Sequence, residues 1–110
     1  MAKLLAIISS GKEAKERALV GVLFATNSMK YKWADEVEIV FFGPSQDLLI
    51  EDESFRETVL SSIGEYKPLV CRFVSEIKGH PMEKLEFARV EYVGSIINRL
   101  INDGFIPLVF

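Results

Sequence analysis

The chain predicts an α/β fold of three layers, in which helices cover both faces of a five-stranded, mostly parallel sheet. Short β-prone runs recur along it, amphipathic segments of helical period lie between them, and glycines stand at the ends of those segments. Strands that alternate with helices return parallel to one another through right-handed crossovers. The 110 residues fit one domain, read as residues 1–110, and a chain of that size buries about two thirds of its unfolded surface.

Lys3 to Ser9 is the first strand, and Ser10 with Glu13 predicts a capping box for the long helix that follows. That helix carries Lys12, Glu13, Lys15, Glu16 and Arg17 early and is apolar almost all round from Leu19 to Ala25, which predicts burial on two sides, with another subunit as one source of cover. Glu36 to Phe42 is the second strand, rich in β-branched residues and stopped by Gly43-Pro44. The acidic stretch Gln46 to Glu53 reads as a loop. Ser54 and Glu57 form a second capping box, for a helix whose apolar face is Phe55, Val59, Leu60 and Ile63 and which ends at Gly64.

Pro68 to Cys71 is a short buried strand, followed at helical spacing by Phe73, Val74 and Ile77 and closed by Gly79. Phe87 to Val93 alternates, as a strand does when one face meets water. Gly94-Ser95 opens the last of four helices, with Ile96, Ile97, Leu100 and Ile101 as its stripe and Gly104 as its cap. Phe105 to Phe110 is the fifth strand. Pro107 cannot donate to a central ladder, so this strand belongs at an edge, as does the fourth.

Several functions are excluded at this level. A formal net charge of -3, with Lys and Arg scattered among Glu and Asp, does not make the basic stripe that nucleic acid needs. The longest apolar stretch, Leu19 to Ala25, is too short for a membrane span. Met1 to Ser9 reads as a strand rather than a signal peptide, and a cytoplasmic protein is expected. Ser9-Ser10-Gly11-Lys12 suggests a phosphate loop, but Ala6 stands where its first glycine belongs and Glu13 where its Ser or Thr belongs. No cofactor is expected. A lone cysteine makes neither an internal disulfide nor a zinc pattern, and no metal is expected.

The carboxyl ends of the strands share one rim, where ligands of open α/β sheets bind, and Ser10, Gly43, Cys71 and Gly94 all fall there. A thiol in the first turn of a helix meets the positive end of the backbone dipole, which makes Cys71 a candidate nucleophile with Arg72 beside it. Cysteine is also among the most buried residue types, so a core role for Cys71 stands next to the reactive one. Ser10 reads as a helix cap that would also hold an anion. His80, the only histidine, reads as part of a surface loop, and Asp47, Glu51, Asp52 and Glu53 as a solvated cluster before a helix N-terminus. Phe24, Tyr31 and Trp33 read as core or subunit contact.

Phe42-Gly43-Pro44-Ser45 with Leu48-Leu49, Val70-Cys71 with Val74 and Gly79, and Val90-Glu91-Tyr92-Val93-Gly94-Ser95 occur in an order that resembles the DsrE/DsrF-like family across essentially the whole chain. The resemblance implies a sheet order of 4-3-2-1-5 and a homo-oligomer. It also implies a sulfur relay, in which Cys71 carries a persulfide between a donor and an acceptor protein, with Gly43 and Gly94 in turns beside it. The chain has no second cysteine to resolve that persulfide. The alternative on the same fold is a non-enzymatic module that binds a small ligand or builds an oligomer.

Overall fold

The computed structural model describes residues 2–110; Met1, where the N-terminal reading and the domain begin, lies outside the described residues. Five strands, β1 (Lys3–Ile8), β2 (Glu36–Phe41), β3 (Leu69–Cys71), β4 (Arg89–Glu91) and β5 (Phe105–Val109), form one sheet of order β4-β3-β2-β1-β5. All four pairings are parallel. The expected order and both expected edges are therefore present. The helices are α1 (Lys15–Lys30), α2 (Ser45–Glu51), α3 (Glu53–Ile63), α4 (Arg72–Lys78) and α5 (Val93–Asn102), with single 3₁₀ turns at Lys12–Ala14 and Met82–Leu85.

The register assigns each side chain to a face. Ala6 pairs with Ile39, Ile8 with Phe41, and Phe41 with Val70, and α1, α2 and α3 pack on that side through Ala18, Val22, Ala25, Leu48, Leu49, Phe55, Val59 and Ile63. The opposite face presents Leu5, Val40, Leu69, Cys71 and Phe105, covered by Val93, Ile96, Ile97 and Leu100 of α5 and by Val74 of α4. The first two crossovers, which step the same way, put α1, α2 and α3 on one side, and the return from β4 to β5, which steps the other way, puts α5 on the other, where Val74 of the short α4 joins it.

Four elements differ from expectation. The acidic stretch read as a loop is mostly the helix α2, so there are five helices rather than four. It starts at Ser45, whose buried hydroxyl donates to Ile8 O at 2.5 Å, and it buries Leu48 and Leu49, so tertiary contact overrides the polar composition. The cap of α3 is Asp52 rather than Ser54: Asp52 Oδ1 accepts from Phe55 N at 3.0 Å, and Ser54 Oγ donates to the same carboxylate oxygen. The first capping box is half formed. Glu13 Oε1 accepts from Gly11 N at 3.1 Å, while Gly11, not Ser10, is the N-cap and has no side chain with which to cap. β4 is three residues long rather than seven, because only Arg89 to Glu91 find partners on β3.

Tyr31 and Trp33 are exposed rather than core; they stack on each other with ring centroids 5.7 Å apart beyond the end of α1. The apolar stretch of α1 is covered on one side only, since Val20 and Leu23 stand exposed while Ala18, Val22 and Ala25 are buried. Among the described residues no helix is long and apolar enough to cross a membrane.

Candidate functional site at the carboxyl rim

The rim is formed by the ends of β1, β2, β3 and β4. Its first loop, Ser9 to Gly11, leads from β1 into α1, and its second, Phe42 to Pro44, from β2 into α2. Gly43 adopts φ of +111°, a conformation that L side chains rarely take, and this reverses the chain tightly enough for α2 to start at once. Gly11 is buried against Pro44. A Cβ built on Gly11 would lie 2.6 Å from Pro44 Cβ, so the two loops approach as closely as backbone permits.

The backbone donors of the first two rim loops are engaged within the chain. Ser9 N and Ser10 N both donate to Phe110 O, at 2.7 and 3.1 Å, and Ser45 N donates to Ser9 O at 3.1 Å. Gly43 N donates to Gln46 Oε1 at 2.9 Å. An anion at Ser10 would have to displace the chain's own carbonyl. Gly94 lies in the first turn of α5, exposed, with nothing within 4 Å of where a Cβ would be.

Cys71 is the last residue of β3 and the N-cap of α4, the junction expected for it. Its side chain makes no cap hydrogen bond and is 4 % exposed, within the cluster of Leu5, Val40, Leu69, Val93 and Phe105. The Arg72 guanidinium lies over the Tyr92 ring, 5.9 Å from its centroid, and Tyr92 Oη donates to Glu76 at 2.9 Å. Gly43 and Cys71 are joined through one side chain, that of Gln46. Ser10 and Gly94 belong to other loops of the rim.

Gln46 belongs to a buried polar network that the sequence reading missed. Its Nε2 donates to Cys71 O and to Ser75 Oγ, each at 2.9 Å. Ser75 Oγ lies 3.0 Å from His80 Nδ1, and His80 Nε2 lies 2.8 Å from Asp47 Oδ1. Asp47 Oδ2 accepts from Lys78 Nζ at 2.6 Å. Burial pushes the Asp47 carboxyl up, but the hydrogen bonds and charges of Lys78 and His80 outweigh it and hold Asp47 below the ordinary carboxylate value. His80 is therefore not in a solvated surface loop: its side chain is 6 % exposed and ties α2 to the end of α4. Gly79, at φ of +68°, turns the chain so that the ring comes back over its own helix.

Ser75, His80 and Asp47 are connected in the manner of a hydrolytic triad, yet Ser75 is 0 % exposed on the inner side of α4. A nucleophile needs access to a reacting carbonyl, so the network joins secondary structure rather than performing hydrolysis. Its members come from two segments, Gln46-Asp47 and Cys71 to His80, separated by a whole crossover, and share no motif. The one local signal was Gln46 placed three residues after Gly43, within reach of that glycine's amide.

A broader cleft lies on the face covered by α5, between that helix and β4. Its volume is about 540 Å³ and its walls include Leu69, Arg89, Glu91, Ile96 and Arg99. Among the described residues no group of three or more His, Cys, Asp or Glu side chains is placed to hold a metal ion.

No protein-family model matches the chain, and no curated protein matches it. A solved structure of a conserved protein of unknown function from Bacteroides thetaiotaomicron is similar over 98 % of this chain and 95 % of its own, with a TM-score of 0.76 and 20 % sequence identity, a likeness that shows the fold.

Proposed function

We propose that the chain is a non-enzymatic α/β module that associates with a second copy of itself, and that Cys71 serves as a core residue. The burial of the thiol carries this reading. A sulfur carrier must bring its sulfur against a donor and then an acceptor, whereas Cys71 is packed among aliphatic and aromatic side chains of one core cluster. Large apolar side chains stand outside instead. Val20, Phe24, Leu108, Val109 and Phe110 line an apolar depression of about 380 Å³ beside the unpaired edge of β5. An open strand edge flanked by apolar surface is what a subunit contact covers.

Light scattering and sedimentation test this reading: a dimer or higher oligomer is expected for the native chain, and a shift to monomer for Val109→Glu. A native chain that stays monomeric at high concentration rejects it. Alkylation of Cys71 should also be slow in the folded protein and fast in denaturant.

A second reading, the sulfur relay, is favoured by the position of the thiol at the β3–α4 junction and by the resemblance to the DsrE/DsrF-like family. Cys71 thiolate would attack the outer sulfur of a donor protein's persulfide, forming a new S–S bond as the donor thiolate leaves. An acceptor thiolate would then take that sulfur and release Cys71 thiolate. α4, only seven residues long, would have to swing away first. Intact mass after exposure to a persulfide donor separates the readings: a gain of one sulfur on the native chain and none on Cys71→Ser supports the relay. No gain on the folded protein supports the module.

A further inference from the structure

The return helix α5 runs from the end of β4 to the start of β5 and leaves β4 incompletely covered, its residues half-buried or exposed while those of β3 are buried. The cleft of about 540 Å³ fills that space, a size within the range of small-molecule sites. Its accessible apolar surfaces are Ile96 of α5 and the Tyr92 ring, and Leu69, 2 % exposed, closes the floor beneath them.

Two arginines line the cleft from opposite walls, Arg89 of β4 and Arg99 of α5. Arg89 is fixed from behind: its Nε donates to Lys67 O at 2.7 Å and one terminal nitrogen to Glu38 Oε1 at 2.6 Å. Its Nη1 makes no such bond. Arg99, on α5, has no hydrogen-bond or ion-pair partner for its guanidinium among the described residues. A positioned guanidinium and an unpartnered one across an apolar surface match the oxygens of a carboxylate. Glu38 offsets the charge of Arg89, and Glu91 lines the same cleft, so a second negative charge on the ligand would meet a carboxylate.

We propose that this cleft binds a small organic monocarboxylate with an apolar body, its carboxylate held between Arg89 and Arg99 and its body on Ile96 and Tyr92. This extends the module reading by naming a ligand class, and it stands whether the chain proves monomeric or oligomeric.

Amide chemical shifts followed during titration with phenylacetate test the proposal. Saturable shifts at Ser95, Ile96 and Arg99 are expected, with a Kd of about 1 mM or tighter for a ligand of this size. Phenethylamine, which keeps the body and reverses the charge, should not bind, and inorganic phosphate should not compete. Arg99→Gln, an exposed change that leaves the fold intact, should weaken phenylacetate about tenfold. Absence of saturation by about 10 mM, equal binding of the amine, competition by phosphate, or an unchanged affinity in Arg99→Gln would each overturn the proposal. Subunit association is read separately by sedimentation, so failure here and failure of the module reading are distinguishable.

Discussion

On one face of the sheet, three helices bury Ala6, Ile8, Ile39, Phe41 and Val70. On the other, α5 and one side chain of α4 cover Leu5, Val40, Leu69, Cys71 and Phe105. The thick face holds Phe41 and Phe55 in edge-to-face contact, ring centroids 6.4 Å apart. The thin face mixes its apolar floor with Lys3, Glu36, Glu38, Arg89 and Glu91, placed there by the register. Such division is a direct product of crossover handedness: most connections load one side, and the side left with a single helix keeps room for charge and a cleft. Stability should therefore reside mainly on the first face and ligand recognition on the second.

The comparison breaks most readily at Phe55. Phe55→Ala should cost about 3–5 kcal/mol in denaturant unfolding, while Leu100→Ala, half-buried on the thin face, should cost about 1–2 kcal/mol. Equal losses would mean that the faces carry equal weight. A polar counterpart lies beneath the thin face, where Tyr66 Oη donates to Glu38 Oε1 at 2.6 Å and accepts from Ile39 N at 2.7 Å. Burial, reinforced by Glu38, pushes the Tyr66 phenol above its ordinary value and keeps it protonated. Tyr66→Phe strands the Ile39 amide and should cost about 1–3 kcal/mol, with faster hydrogen exchange at Ile39 as its signature.

The smallest effect is electrostatic. Asp52 is lowered to about 2 by hydrogen bonds from Lys15, the Phe55 amide and Ser54, and Asp47 is lowered as described above. Carboxylates depressed in the folded state stabilise it fully above their unfolded value of 3.8, and that contribution fades as pH falls through the folded values. Stability should thus decline from about pH 4 towards pH 2. Asp47→Asn should remove part of that decline, about 1 kcal/mol or less for a partly exposed ion pair. An unchanged acid profile would assign the loss to other carboxylates.

The strands were legible because burial on both faces demands continuous β-prone runs, as in Leu4 to Ile8 and Val37 to Phe41. Pro107 placed β5 at an edge for a purely local reason. α2 was not legible: Asp47, Glu51 and Asp52 flank a run of only three apolar residues, Leu48 to Ile50, and the helix is set by Ser45 reaching back to Ile8. The junction of Cys71 could be read from the sequence, since a short apolar run gives way there to helical spacing. Its burial depends on Leu5, Val93 and Phe105, which lie distant in the chain. Of the two readings of Tyr31 and Trp33, core and subunit contact, their exposure removes the first, because apolar character alone does not say whether cover exists within one chain.

Gln46 has a consequence for motion. Its amide group bonds at once to Gly43 N, Cys71 O and Ser75 Oγ. Departure of α4 from the sheet would therefore leave Gln46 free to rotate and unprotect an amide hydrogen one crossover away. Exchange of the Gly43 amide with solvent deuterium becomes a local clock for that opening, readable at a single resonance without touching the thiol.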